Sequence, residues 1–277
     1  GVESVSPGGY RRSIATPNGS GLIEVQPVSD GNHLLARIRL NEPVPLEPVV
    51  ARIRRIFDLA ADPAIIASDL GQSPWLRQAV RTAPGIRVPG AWSGFELAVR
   101  AILGQQVTVK GATTLCGRLV ERFGTASRLC CDGLDFLFPT PAVLAGADLT
   151  AIGLPRTRAA TIAAISAAVD SGDLDLETPR DLDRSLVQLT AFPGIGEWTA
   201  QYIAMRALRE PDAFPASDLG LRRALGRNGA PLREGRLAAI AEGWRPWRAY
   251  AAMLLWSGPV RRHRPGDRGS RRHGRRG

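Results

Sequence analysis

The sequence predicts a mostly α-helical protein with an N-terminal α+β domain, and two patterns carry that expectation. In the first forty residues, short aliphatic runs are punctuated by Asn18-Gly19 and Asp30-Gly31, dipeptides suited to hairpin turns. From Ser93 to Ser257, apolar residues recur at helical spacing between capping residues and glycines. With 277 residues and 44% hydrophobic side chains, the chain can bury a sizeable core.

Taken in order, Leu22-Ile23-Glu24-Val25 and Leu34 to Leu40 have strand composition, the second alternating at its end. PLEPVVARIRRIFDLAADP follows as a helix with Val49, Ile53, Ile56 and Phe57 on one side. Residues 1–72 are therefore expected to form the α+β domain, on a small antiparallel sheet. Beyond it, two helices meet near Gly104-Gln105-Gln106, and Thr140-Pro141 opens a short one. An Ala-rich helix runs from Pro155 to Gly172, and another starts at Thr178 with Pro179 in its first turn. Two more flank Pro193-Gly194-Ile195-Gly196, a further one starts at Ser217-Asp218, and RPWRAYAAMLLWS closes the fold. Residues 73–260 are expected to be this helical domain. Residues 261–277 hold almost nothing apolar and are expected to be a disordered basic tail.

The net charge of +10 is unevenly spread. Eight arginines and one aspartate lie in residues 261–277, so the remaining chain carries only about +3. Lys110 is the single lysine, an arginine bias that GC-rich coding explains. Cys116, Cys130 and Cys131 are odd in number and form no CxxC, which argues against a disulfide framework and a zinc or iron–sulfur site. A reducing, cytoplasmic setting is the default for such usage. No apolar run approaches the roughly 18 residues of a membrane span.

The segment FPGIGEWTAQYIAMR, Phe192 to Arg206, is the most informative stretch. A helix–helix connection needs one glycine, and here Gly194 and Gly196 flank Ile195. Amides at a helix start are unpaired and carry partial positive charge, and glycines let a phosphate approach them closely. Ile195 between them can plug the connection into the core. The arrangement matches a helix–hairpin–helix clamp for a DNA backbone, against the plainer reading of a tight turn with a glycine C-cap.

The wider chain resembles a known family. LTAFPGIGEWTAQYIAMRA, DAFPASDLGLRRAL and EGWRPWRAYAAMLLW, with FELAVRAILGQQVTVKGATTLCGRLVERFG upstream, are similar to the alkylation-repair DNA-3-methyladenine glycosylase II family of the helix–hairpin–helix DNA glycosylase superfamily. The resemblance covers roughly residues 1–257. It implies a helix–hairpin–helix DNA glycosylase fold, an α+β domain followed by two helical subdomains with the active-site cleft between them. It also implies an enzyme, monomeric, acting on double-stranded DNA with alkylated bases. The alternative is a non-catalytic helix–hairpin–helix DNA-binding or regulatory protein that kept only the clamp.

By resemblance the catalytic carboxylate is Asp218, although an aspartate before a helix is by itself an ordinary N-cap. The only histidines are His33, His263 and His273, so the helical body has none to serve as general acid. A positively charged alkylated purine leaves as a neutral molecule, needs little acid help, and would favour aromatic walls. Trp198 and Tyr202, one turn apart, and Trp256 match the family's base-pocket aromatics, core packing being the plainer reading. Trp244, Trp247 and Tyr250 are expected to be structural. Superfamily members that also cleave the strand carry a lysine where this chain has Trp198, so lyase activity is not expected. The resemblance places Gln105 and Gln106 at the DNA, Gln106 as the wedge that fills the gap left by a flipped base, an exposed polar loop being the plainer reading. No cofactor is expected beyond a monovalent cation, Na+ or K+, which the resemblance places on the backbone carbonyls of Thr190, Phe192 and Ile195.

Two departures stand out. Ser217-Asp218-Leu219 replaces the family's frequent Asp-Asp-Tyr, which touches substrate range. By the resemblance, Gly1 is also expected to fall about twenty residues inside the family's first domain. In some relatives an alkyl-transfer regulatory domain precedes this point, so Gly1 could mark a cut from such a fusion.

Overall fold

The computed structural model describes residues 1–17, 19–29, 31–129, 133–178, 181–226 and 230–258. Among the described residues the chain opens with β1 (Glu3–Ser6), β2 (Gly9–Thr16), β3 (Gly19–Pro27) and β4 (Leu34–Leu40), each antiparallel to the next. Ile23 pairs with Arg12 and Ile38, which puts Arg12, Ile14, Ile23 and Val25 on one face. Helix α1 (Leu46–Ile56) covers that face with Val49, Ile53 and Ile56, and Phe57 packs alongside, the side expected from sequence. Gly19 pairs with Thr16 and so belongs to β3, not to the turn expected at Asn18-Gly19. Asn18 and Asp30 lie outside the described residues. The four-residue strand β1, an edge strand, was not expected.

The helical body follows with α2 (Pro63–Gly71), α3 (Arg77–Thr82), α4 (Gly94–Leu103), α5 (Val109–Phe123), the short strand pair β5 (Thr125–Ala126) and β6 (Phe136–Leu137), and α6 (Pro141–Ala145). Then come α7 (Arg156–Asp170), α8 (Leu182–Thr190), α9 (Glu197–Arg206), α10 (Leu219–Ala224), α11 (Glu234–Ala241) and α12 (Arg248–Ser257). The starts of α4, α5 and α6 follow local chemistry: Ser93, Thr108 and Thr140 accept backbone N–H groups from Glu96, Gly111 and Val143. Helix α8 begins later than expected, because Asp181 caps it through the Arg184 N–H at 3.0 Å. Pro179, assigned to its first turn from sequence, lies outside the described residues, as do Cys130, Cys131 and the basic tail.

Contacts group the chain into two units. The first is Gly1–Ala60 with Val88–Pro215. The second is Ala61–Arg87 with the described part of Ala216–Gly277. Helix α2, expected within 1–72, groups with the C-terminal helices. The first unit is built on a core from Phe95 and Ile102 through Leu119, Ile162 and Leu189 to Ile195 and Ile203. In the second, Leu70, Leu76, Leu221, Leu237, Trp244 and Leu254 are buried.

Within the first unit, a buried ionic cluster ties the sheet to α4. Arg12 is 3% exposed and Glu96 4%. Arg12 Nη2 meets Glu96 Oε2 at 2.7 Å, and Arg100 Nη2 meets Glu96 Oε1 at 2.7 Å. Glu3 joins through Arg100 at 3.2 Å and accepts the Tyr10 hydroxyl at 2.8 Å. Burial disfavours the Glu96 charge, yet the guanidiniums of Arg12 and Arg100 outweigh it and hold the carboxyl below the usual range. Cys116 is a buried free thiol, pushed up by the same burial. No described helix is long and apolar enough to cross a membrane.

Candidate active site and nucleic-acid interface

The connection between α8 and α9 is a hairpin whose exposed surface is backbone. Pro193, Gly194, Gly196 and Glu197 are exposed, while Ile195 is 5% exposed and belongs to the core. Gly194 has φ +92, and a Cβ there would overlap the Thr161 hydroxyl. Thr161 is buried and donates to Pro193 O at 2.8 Å, so α7 supports the hairpin from beneath. Gly196 starts α9 with no side-chain cap, which leaves the first-turn amides facing outward with the positive end of the helix behind them. Glu197, an exposed acid in that turn, suits the helix dipole and opposes an anion.

The α4–α5 loop is joined to this hairpin. Gln105 Nε2 donates to Gly194 O and to Thr199 Oγ1, both at 3.0 Å. Gln106 is exposed and has φ +55, a left-handed backbone that few residues with a side chain adopt. Val107 and Val109 beside it are exposed.

Along α9, Trp198 and Tyr202 stack at 5.2 Å between centroids and 9° between planes. These two half-buried rings therefore face one another, and a base cannot lie between them. Arg206, one turn further, donates to the Tyr202 hydroxyl at 2.5 Å, lies 5.5 Å from the Tyr202 ring centroid, and donates to Pro89 O at 2.7 Å. The sequence reading passed over Arg206, although its spacing of four from Tyr202 was visible.

In the second unit, Asp218 caps α10 by accepting the Leu221 N–H at 2.8 Å. The same oxygen accepts the Trp256 indole N–H at 3.0 Å. Gly220 makes this approach possible: a Cβ there would stand 3.0 Å from Asp218 Oδ1 and 3.6 Å from the Trp256 ring. Trp244 and Tyr250 are buried, Trp244 donates to Ser73 Oγ at 3.0 Å and Trp247 to Asp69 at 2.8 Å, as structural residues would.

Among the described residues, no group of three His, Cys, Asp or Glu side chains could hold a metal ion. Thr190 is the last residue of α8, where carbonyls lack helical partners and the dipole is negative. Phe192 O accepts the Ile195 N–H at 3.0 Å and retains a second lone pair. A carbonyl set at such an end suits a hard monovalent cation in kind.

Comparison with known proteins follows this anatomy. Residues 1–93 match the AlkA N-terminal domain family, and residues 99–249 match the family described as HhH-GPD superfamily base excision DNA repair protein. Over 257 residues the chain is 42% identical to a probable bifunctional transcriptional activator/DNA repair enzyme AlkA of Mycobacterium tuberculosis, covering 93% of this chain and 51% of that protein. It thus spans about half the length of that relative. It is 36% identical over 263 residues to DNA-3-methyladenine glycosylase 2 of Escherichia coli, covering 92% and 87%. The solved structure of a 3-methyladenine DNA glycosylase from Archaeoglobus fulgidus aligns with a TM-score of 0.75 at 25% identity, covering 92% of this chain and 88% of that one.

Proposed function

The chain belongs to the HhH-GPD superfamily of base excision DNA repair proteins, and on that premise we propose that it is a monofunctional DNA glycosylase for alkylated purines. Its substrates are 3-methyladenine and, by the same charge argument, 7-methylguanine in duplex DNA. The observation that carries this reading is the Asp218 carboxylate, fixed by the Leu221 amide and the Trp256 indole.

The hairpin amides grip a phosphate while Gln106 enters the space vacated by the flipped nucleotide. Trp198 and Tyr202 offer π-surface to a base that already carries positive charge. As the glycosidic bond lengthens, positive charge moves from the base to the sugar. Asp218 stabilises that oxocarbenium-like cation, and water then attacks the sugar. No proton need be supplied to a leaving group that departs neutral. Trp198 provides no amine for Schiff-base chemistry, so strand cleavage is not part of the reaction. A monovalent cation on the Thr190, Phe192 and Ile195 carbonyls would reinforce phosphate binding and takes no part in bond breaking. Clamp, wedge and carboxylate all lie in one chain, so a monomer suffices.

The deciding test is base release from duplexes carrying single methylated purines. Release of free 3-methyladenine with the strand left intact is the expected result. Tight DNA binding without release would leave the non-catalytic reading in possession.

A further inference from the structure

Gln105 and Gln106 are neighbours in sequence but differ in setting. Gln106 points from an exposed loop tip on a left-handed backbone, whereas Gln105 is half-buried. A side-chain amide nitrogen has two N–H bonds to give. Gln105 gives one to Gly194 O in the hairpin and the other to Thr199 Oγ1, whose side chain is buried in the first turn of α9. Gly194 is itself seated on Thr161 of α7. The α4–α5 loop is thus bolted to the segment that presents the phosphate-binding amides.

We propose that Gln105 is a positioning residue and not a DNA contact: it sets the spacing between the intercalating Gln106 and the hairpin amides. The proposal rests on reading the chain as a base-flipping glycosylase. A strained backbone persists only where its neighbours over-determine it. Here the loop is held on one side by the Gly104 and Gln105 amides bonded to Arg100 O and Ile102 O, and on the other by the Gln105 side chain. Without the side-chain bonds, Gln106 can relax to ordinary backbone and its side chain leaves the register of the clamp. A wedge out of register with a gripped phosphate cannot fill the gap beside it. The role of Gln105 is therefore visible only through Gln106.

The test is a double-mutant cycle on duplex carrying an abasic analogue. Gln105→Met keeps length and bulk while removing both donors. Gln106→Ala alone should weaken binding at least about tenfold, the scale of one lost stacking contact. In the Gln105→Met background, Gln106→Ala should cost less than about threefold, the wedge being already displaced. Gln105→Met alone should weaken binding by about tenfold, the same loss as removing the wedge it positions. An undiminished Gln106→Ala effect in the Gln105→Met background overturns the proposal. If Gln105→Met does not fold, Thr199→Val removes one acceptor isosterically and should reduce the Gln106→Ala effect part of the way. An unreduced effect there is equally fatal. Wild-type protein that releases no methylated base and ignores the abasic analogue would sink the glycosylase reading instead, a different outcome.

Discussion

At Asp218, one carboxylate oxygen accepts both the α10 cap bond and the Trp256 indole, so the group is aimed by its surroundings before any substrate arrives. Asp218→Asn keeps an oxygen for both bonds and should cost less than about 1 kcal/mol of stability. The charge is lost, and a carboxylate about 4 Å from a sugar cation contributes about 4 kcal/mol at an effective dielectric near 20. Excision should therefore slow by about a thousandfold while binding to damaged duplex holds or tightens slightly. Folded Asp218→Asn protein that releases 3-methyladenine within about tenfold of wild type would shift attention to Asp212, the nearest upstream acid. At Trp198 the expectation is negative: borohydride should trap no covalent adduct with abasic DNA at neutral pH. An efficient adduct would refute the monofunctional reading, with the N-terminal amine the first group to block.

At the level of elements, α4 depends on charge buried far from water. Glu96→Gln leaves Arg12 and Arg100 facing an uncharged amide and should destabilise the fold by about 3–5 kcal/mol. Because the folded carboxyl sits below its ordinary value, its contribution is complete above the unfolded pKa of about 4.3 and is lost as pH falls through the depressed folded value. Melting temperature should thus fall more steeply below about pH 4 in wild type than in Glu96→Gln. Equal slopes would show that the cluster does not govern acid stability. None of this could be read from the sequence, since Arg12 and Glu96 stand 84 residues apart and their pairing is created by the fold. Local chemistry was legible: the helices expected to start at Ser93, Thr140 and Asp218 do start there, the α1 face is the one its periodicity implied, and Ile195 plugs the hairpin. Strand β1 was hidden because four residues carry too little pattern, and the Gln105 bonds because a polar residue in a loop has no periodicity to betray its partners.

At the scale of the whole molecule, charge and chain order each have a consequence. The eight arginines of 261–277 lie outside the described residues, but their charge acts on any polyanion. Removing them should flatten the salt dependence of DNA binding and leave single-turnover excision unchanged. An unaltered slope in a titration against salt would show that the tail does not touch DNA. Chain order has a consequence on the ribosome. The second unit is assembled from Ala61–Arg87 and from residues beyond Ala216, with the whole helical body of the first unit made in between. At about 5–20 residues per second, α2 and α3 emerge on the order of ten seconds before α12, the helix that packs on α3, exists. During that interval the nascent chain carries an apolar surface whose partner has not been translated. Apolar surface left open on a nascent chain is prone to aggregation until the C-terminal helices are made.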